Sequence, residues 1–190
     1  MKSGIEIYNL VERFASGCVG EIVKTQTTFV EIVVEIDSRG GDSRNNIRIH
    51  YSGKREFSLN KGKFTSMQIF HDHPILIDHI DQSACVSMAS GVANKEKFRK
   101  VLETAAKDVF GGWRSFESYL NMPLDIFLEK DYGILMFAPL TYAKAVVEMA
   151  EAMGVKLILT EGQEQTGRPH VIFFDEWYVI ADDFRVHYLC

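Results

Sequence analysis

The chain has 190 residues, 46% of them hydrophobic and only 4 prolines, which excludes a disordered protein and allows a single compact α+β domain, 1–190, with lobes at 1–92 and 93–190 as its natural subdivision. Net charge is −5 and the basic residues are scattered, so no phosphate-tracking surface is written into the composition and nucleic acid is not an expected partner. No window approaches the roughly 18 uninterrupted apolar residues of a membrane span, and Met1-Lys2-Ser3 is not followed by a signal-peptide core, so a cytoplasmic protein without a membrane partner is expected.

The 3 cysteines, Cys18, Cys85 and Cys190, lie far apart and are odd in number, so they read as buried or incidental thiols. Cys85 sits in a run of small residues, where a thiol usually packs inertly although a dyad with a histidine is conceivable on paper.

In chain order, Ser3 and Glu6 form an S-x-x-E capping box, and Ile7, Leu10, Val11 and Phe14 recur at helical spacing until Gly17. From Glu21 to Asp37 the β-branched residues alternate as one half-exposed strand. The tip Ser38-Arg39-Gly40-Gly41-Asp42 turns it into a hairpin with Ile47, Ile49 and Tyr51. After a turn at Leu59 to Gly62, the stretch from Phe64 to Phe70 is strand-like, as is Ser83 to Ala89.

Asn94 is placed to cap a helix carrying Phe98, Val101, Leu102, Ala105 and Val109, and Gly111 to end it. Short helical turns follow at Phe116 to Leu120 and after Pro123. The apolar runs Gly133 to Ala138 and Val155 to Thr160 flank an amphipathic stretch, Tyr142 to Met153, and read as a βαβ unit with parallel strands. The strands His170 to Phe174, Tyr178 to Ala181 and Phe184 to Leu189 complete an antiparallel meander. The fold class is α+β.

The stretch from Ile69 to Asp81 holds three histidines and three aspartates. On a strand His71 and His73 project to one face, and Asp78, His79 or Asp81 could return as further ligands of zinc or iron. His71-Asp72-His73-Pro74 looks like the H-x-H-P of JAMM-type metalloproteases, but the S-x-x-D that family pairs with it is missing, since Ser83 is followed by Ala84, Cys85 and Val86. His71 and His73 with Asp78-His79 faintly resemble the H-x-H-x-D-H of metallo-β-lactamases, with four residues between the pairs instead of one. Neither likeness extends beyond this stretch, and the plain alternative is a loop of turn-capping aspartates and surface histidines.

A second candidate surface lies where the βαβ strands end, at Thr141, Gln163, Gln165 and Arg168, because ligands collect beyond the carboxyl ends of such strands. Thr141 stands where a helix N-cap belongs. A third is the glycine-flanked pair Trp113 and Arg114, residue types that interfaces favour. The expectation is a non-catalytic binding or regulatory module without a cofactor, taking a protein partner or small ligand. The competing expectation is a zinc hydrolase in which the histidine cluster holds the ion and Glu31 or Glu35 activates water.

Overall fold

A computed structural model describes residues 3–40 and 43–189, with side chains from 7–39 and 45–189. The Ser3 and Glu6 side chains and the hairpin tip at Gly41 and Asp42 lie outside the described residues. The protein is a mixed α+β fold that divides into two compact units: residues 1–76 with 167–190, and residues 77–166. The second unit is thus inserted in the sequence of the first. Among the described residues, no helix is long and apolar enough to cross a membrane.

The first unit is a helix, α1 (Ser3–Ala15), against a seven-stranded antiparallel sheet. Its strands are β1 (Val19–Thr27), β2 (Glu31–Gly40), β3 (Ser43–Ser58), β4 (Gly62–Phe64), β5 (Met67–Phe70), β9 (His170–Phe174) and β10 (Trp177–Leu189), ordered β4-β1-β2-β3-β10-β9-β5. Ile7, Leu10 and Phe14 of the helix share one core with residues from every strand, including Ile22, Val34, Ile49, Phe64, Met67, Phe174 and Val186, so the sheet curls around the helix. The strands at its two edges, β4 and β5, are separated in sequence only by Thr65 and Ser66.

Three sequence expectations change here. The stretch from Glu21 to Asp37 is two strands, because Thr28 turns the chain: its amide bonds the Glu31 carbonyl at 2.9 Å and its hydroxyl accepts the Glu31 amide at 3.0 Å. The residues at that turn, Phe29 and Val30, are apolar and exposed, so no glycine or asparagine announces it. Phe64 to Phe70 is likewise split, and the last two meander strands are one long β10, with its irregularity between Ile180 and Ala181.

The second unit contains α2 (Ile77–Ile80), β6 (Ser83–Met88), α3 (Lys95–Phe110), α4 (Leu124–Lys130), β7 (Gly133–Pro139), α5 (Leu140–Glu151) and β8 (Leu157–Glu161). As expected, the Asn94 side chain accepts the Lys97 amide at 2.9 Å and Gly111 closes α3 with φ 60°. The sheet order is β7-β6-β8, with β6 antiparallel to both neighbours. The βαβ strands are therefore parallel but not adjacent, since β6, which comes earlier in the chain, lies between them.

One face of this sheet buries Ala84, Val86, Met88, Met136 and Leu157 against Phe98, Leu102, Phe127, Tyr142 and Val146 of the helices. The opposite parity sets Cys85 beside Phe137 and Thr160, and Ser87 beside Ile134 and Ile158, with Phe137, Ile134 and Ile158 exposed.

Candidate functional site

The histidine stretch does not gather its six polar residues around one point. His71 and His73 belong to the first unit, and Asp78, His79 and Asp81 to the second. Pro74 starts a short 3₁₀ turn, Pro74–Leu76, that folds Ile75 and Leu76 onto Val171, Phe173 and Ile180. Burying those two side chains ends the strand and sends His71 and His73 different ways. The ring of His73 packs near Phe70 and Phe173 while its Nδ1 accepts the Ile75 amide at 3.2 Å. Partial burial lowers its pKa, with the charge of Asp72 opposing.

His71 instead meets two residues from other elements. Its Nε2 lies 2.7 Å from Tyr8 Oη on α1, and its Nδ1 lies 3.2 Å from Nδ1 of His170, the first residue of β9. Partial burial and His170 lower its pKa, and Asp72 opposes them. Among the described residues, no three His, Cys, Asp or Glu side chains stand close enough to hold a metal ion together. The carboxylate offered as a water activator, Glu35, pairs with Arg48 at 2.7 Å and Lys24 at 3.9 Å on β3 and β1, and Glu31 is exposed at the start of β2.

The aspartates serve the second unit. Asp78 accepts the Arg114 Nε proton at 2.8 Å and the Tyr119 hydroxyl at 2.7 Å. Burial pushes the Tyr119 phenol far above its ordinary range, and its bond to the Asp78 carboxylate pushes the same way, so it remains a proton donor. Asp81 accepts the Gln82 amide on one oxygen at 2.8 Å and the Thr141 amide on the other at 2.7 Å. Helix α5 begins at Leu140, one residue before Thr141, so Thr141 is not the N-cap; a carboxylate from before β6 does that work at the positive helix end.

Asp78, Asp81 and Tyr119 line a cavity of about 480 Å³ at the carboxyl ends of β7 and β8. Phe137, Ala138, Cys85 and Ala84 form apolar wall, and Asp78, Asp81, Tyr119, Thr160, Glu161 and Gln165 supply polar groups. Glu161 also pairs with Lys144 on α5 at 3.3 Å. Gln163 instead bonds Ser83 through its backbone, its carbonyl accepting the Ser83 amide and its amide donating to the Ser83 hydroxyl, both at 3.1 Å. Arg168 is exposed and belongs to the first unit, while Trp113 is 42% exposed near Gly111 at the end of α3.

The structure thus brings Asp78, Asp81 and Gln165 to the lining of one cavity, with Arg114 and the Thr141 amide bonded to its two aspartates. Tyr119, Phe137 and Cys85 were not foreseen as its lining; the apolar alternation of β6 and β7 placed Cys85 and Phe137 on strands without marking which end would be open, and Tyr119 comes from the 3₁₀ turn Phe116–Tyr119. No known protein family, curated protein or solved structure matches the chain.

Proposed function

We propose that the protein works by binding, as a cytoplasmic regulatory module with no chemistry of its own, and that the cavity in the second unit receives a small ligand. The observation carrying this reading is the cavity itself: its volume of about 480 Å³ falls within the roughly 300–1,000 Å³ of small-molecule sites. Its composition fits the same class, an apolar wall with few fixed polar groups. Asp78 and Asp81 are held on rigid partners, Arg114, Tyr119 and the start of α5, which is how a site keeps its polar contacts in register. The hydrolase reading finds less support, because the oxygens it would spend on an ion are already engaged by those donors.

Cys85, a free and half-buried thiol in the cavity wall, supplies the test. Exchange of Cys85 with a set of small disulfides, read by intact-protein mass spectrometry, is expected to favour a phenethyl thiol over cysteamine by at least about tenfold, the factor that follows from about 1.4 kcal/mol of apolar contact. Equal capture of both, in the native protein as in the urea-unfolded chain, would remove the cavity as a ligand site.

A further inference from the structure

The first unit holds an arrangement that the binding reading does not use. His71 Nδ1 and His170 Nδ1 face each other at 3.2 Å, with ring centroids 4.3 Å apart and planes inclined by 73°. Two metal–nitrogen bonds of about 2.0–2.1 Å place their donors about 3.3 Å apart at the tetrahedral angle and about 2.9 Å apart at a right angle. The observed separation lies between these values.

One tautomer of His71 suits a metal ion. When Nε2 of His71 donates its proton to Tyr8 Oη, 2.7 Å away, its Nδ1 carries the free lone pair. This is the way an outer hydrogen bond orients a ligating imidazole. His71 is exposed, which leaves the remaining coordination positions open to water, and Asp72 adds negative charge beside it. We propose that His71 and His170 form a two-nitrogen site for a borderline divalent transition-metal ion, oriented by Tyr8 and completed by solvent. A bound ion would tie the end of β5 to the start of β9. This site is separate from the ligand set expected from sequence, sharing only His71 with it, and it does not depend on the cavity of the second unit.

A second pair, His50 and His187 on β3 and β10, has its ring centroids 5.4 Å apart and serves as the internal control. The experiment is a titration of the full chain with Zn²⁺, followed by histidine-ring ¹⁵N NMR and calorimetry. Coordination is expected to shift the Nδ1 resonances of His71 and His170 together, at one equivalent, while His50 and His187 stay unmoved. His71→Ala and His170→Ala should each weaken binding at least about tenfold, and Tyr8→Phe about tenfold, whereas His187→Ala should leave it unchanged. Mg²⁺, which prefers oxygen ligands, should produce no shift. Zn²⁺ that leaves both Nδ1 resonances in place, or moves only one of them, means the contact is an imidazole–imidazole hydrogen bond and the proposal fails. The wild-type spectrum decides this even where a variant does not fold.

Discussion

Replacing Asp175 tests how the first unit closes its sheet. The residue lies in the turn between β9 and β10 at φ 53°, and its carboxylate accepts the amides of Thr65 and Ser66 at 2.9 and 2.8 Å and the Ser66 hydroxyl at 2.8 Å. A longer contact of 3.4 Å reaches the Thr65 hydroxyl, and the Asp175 amide donates to the Ser66 carbonyl at 3.2 Å. Those two partners are the residues separating the edge strands, so one side chain fixes the link between the edges. The site is exposed and water competes for each bond, which reduces three short charge-assisted bonds to about 2 kcal/mol in total. Asp175→Ala adds about 1 kcal/mol, because alanine is less tolerant of the left-handed region, for a loss of about 3 kcal/mol. Asp175→Gly removes the strain but not the lost bonds and should cost about 2 kcal/mol.

Trp113 and Trp177 are the chain's 2 tryptophans, and Trp177 lies against Gly62 of β4, so urea unfolding read by fluorescence in a Trp113→Phe background reports this unit. The expected fall in midpoint for Asp175→Ala is about 1–2 M urea. The pH dependence follows from the same contacts. Burial raises the Asp175 pKa, but the bonds from Thr65 and Ser66 outweigh it and hold the group below its ordinary value. A depressed folded pKa contributes stability that is full above the unfolded value near 4 and is lost as pH falls through the folded one. The wild type should therefore lose its advantage over Asp175→Asn as pH drops below about 4. Midpoints for Asp175→Ala and Asp175→Gly both within about 0.2 M of wild type would refute the closure argument.

Asp81→Ala leaves the Thr141 amide without its acceptor and should cost the second unit about 1 kcal/mol, visible as faster hydrogen exchange at Thr141; an unchanged exchange rate would show that Asp81 does not cap α5. Gly20→Ala would bring a Cβ within 2.3 Å of the Phe64 ring and 2.9 Å of the Phe14 ring, so a loss of about 2 kcal/mol is expected in urea, and a neutral substitution would mean the aromatic pair is not packed there. The Tyr51 hydroxyl is buried with no hydrogen-bond partner among the described residues, so Tyr51→Phe should raise the melting temperature, by about 1 kcal/mol in stability, and a destabilised variant would reveal a partner.

Elements with local punctuation were readable from the sequence. Asn94 and Gly111 bound α3 because a side-chain cap and a left-handed glycine are short-range events, completed within four residues. The turn at Thr28 was not readable, since its bonds are backbone and hydroxyl contacts that exposed Phe29 and Val30 do nothing to advertise. The place of β6 between β7 and β8 was out of reach for another reason. Apolar runs joined by a helix fix relative direction, but any earlier strand can fill the space between them, and only the register of Cys85 with both Phe137 and Thr160 records that it did.

The histidines make the same distinction at the level of chemistry. Spacing could put His71 and His73 on one strand face, but Ile75 and Leu76 gain more by packing on Val171, Phe173 and Ile180 than the strand gains by continuing past Pro74. Once that turn forms, the partner of His71 is chosen by strand order: β5 pairs with β9, Phe70 stands opposite Val171, and the next position on each strand carries His71 and His170. The two imidazoles are thus neighbours through sheet register across 99 residues, a relation no local motif can encode. Asp78 and Asp81 are instead the fixed acceptors of Arg114, Tyr119 and Thr141 within the second unit. One stretch of sequence thus supplies two sites, each completed by partners within its own unit.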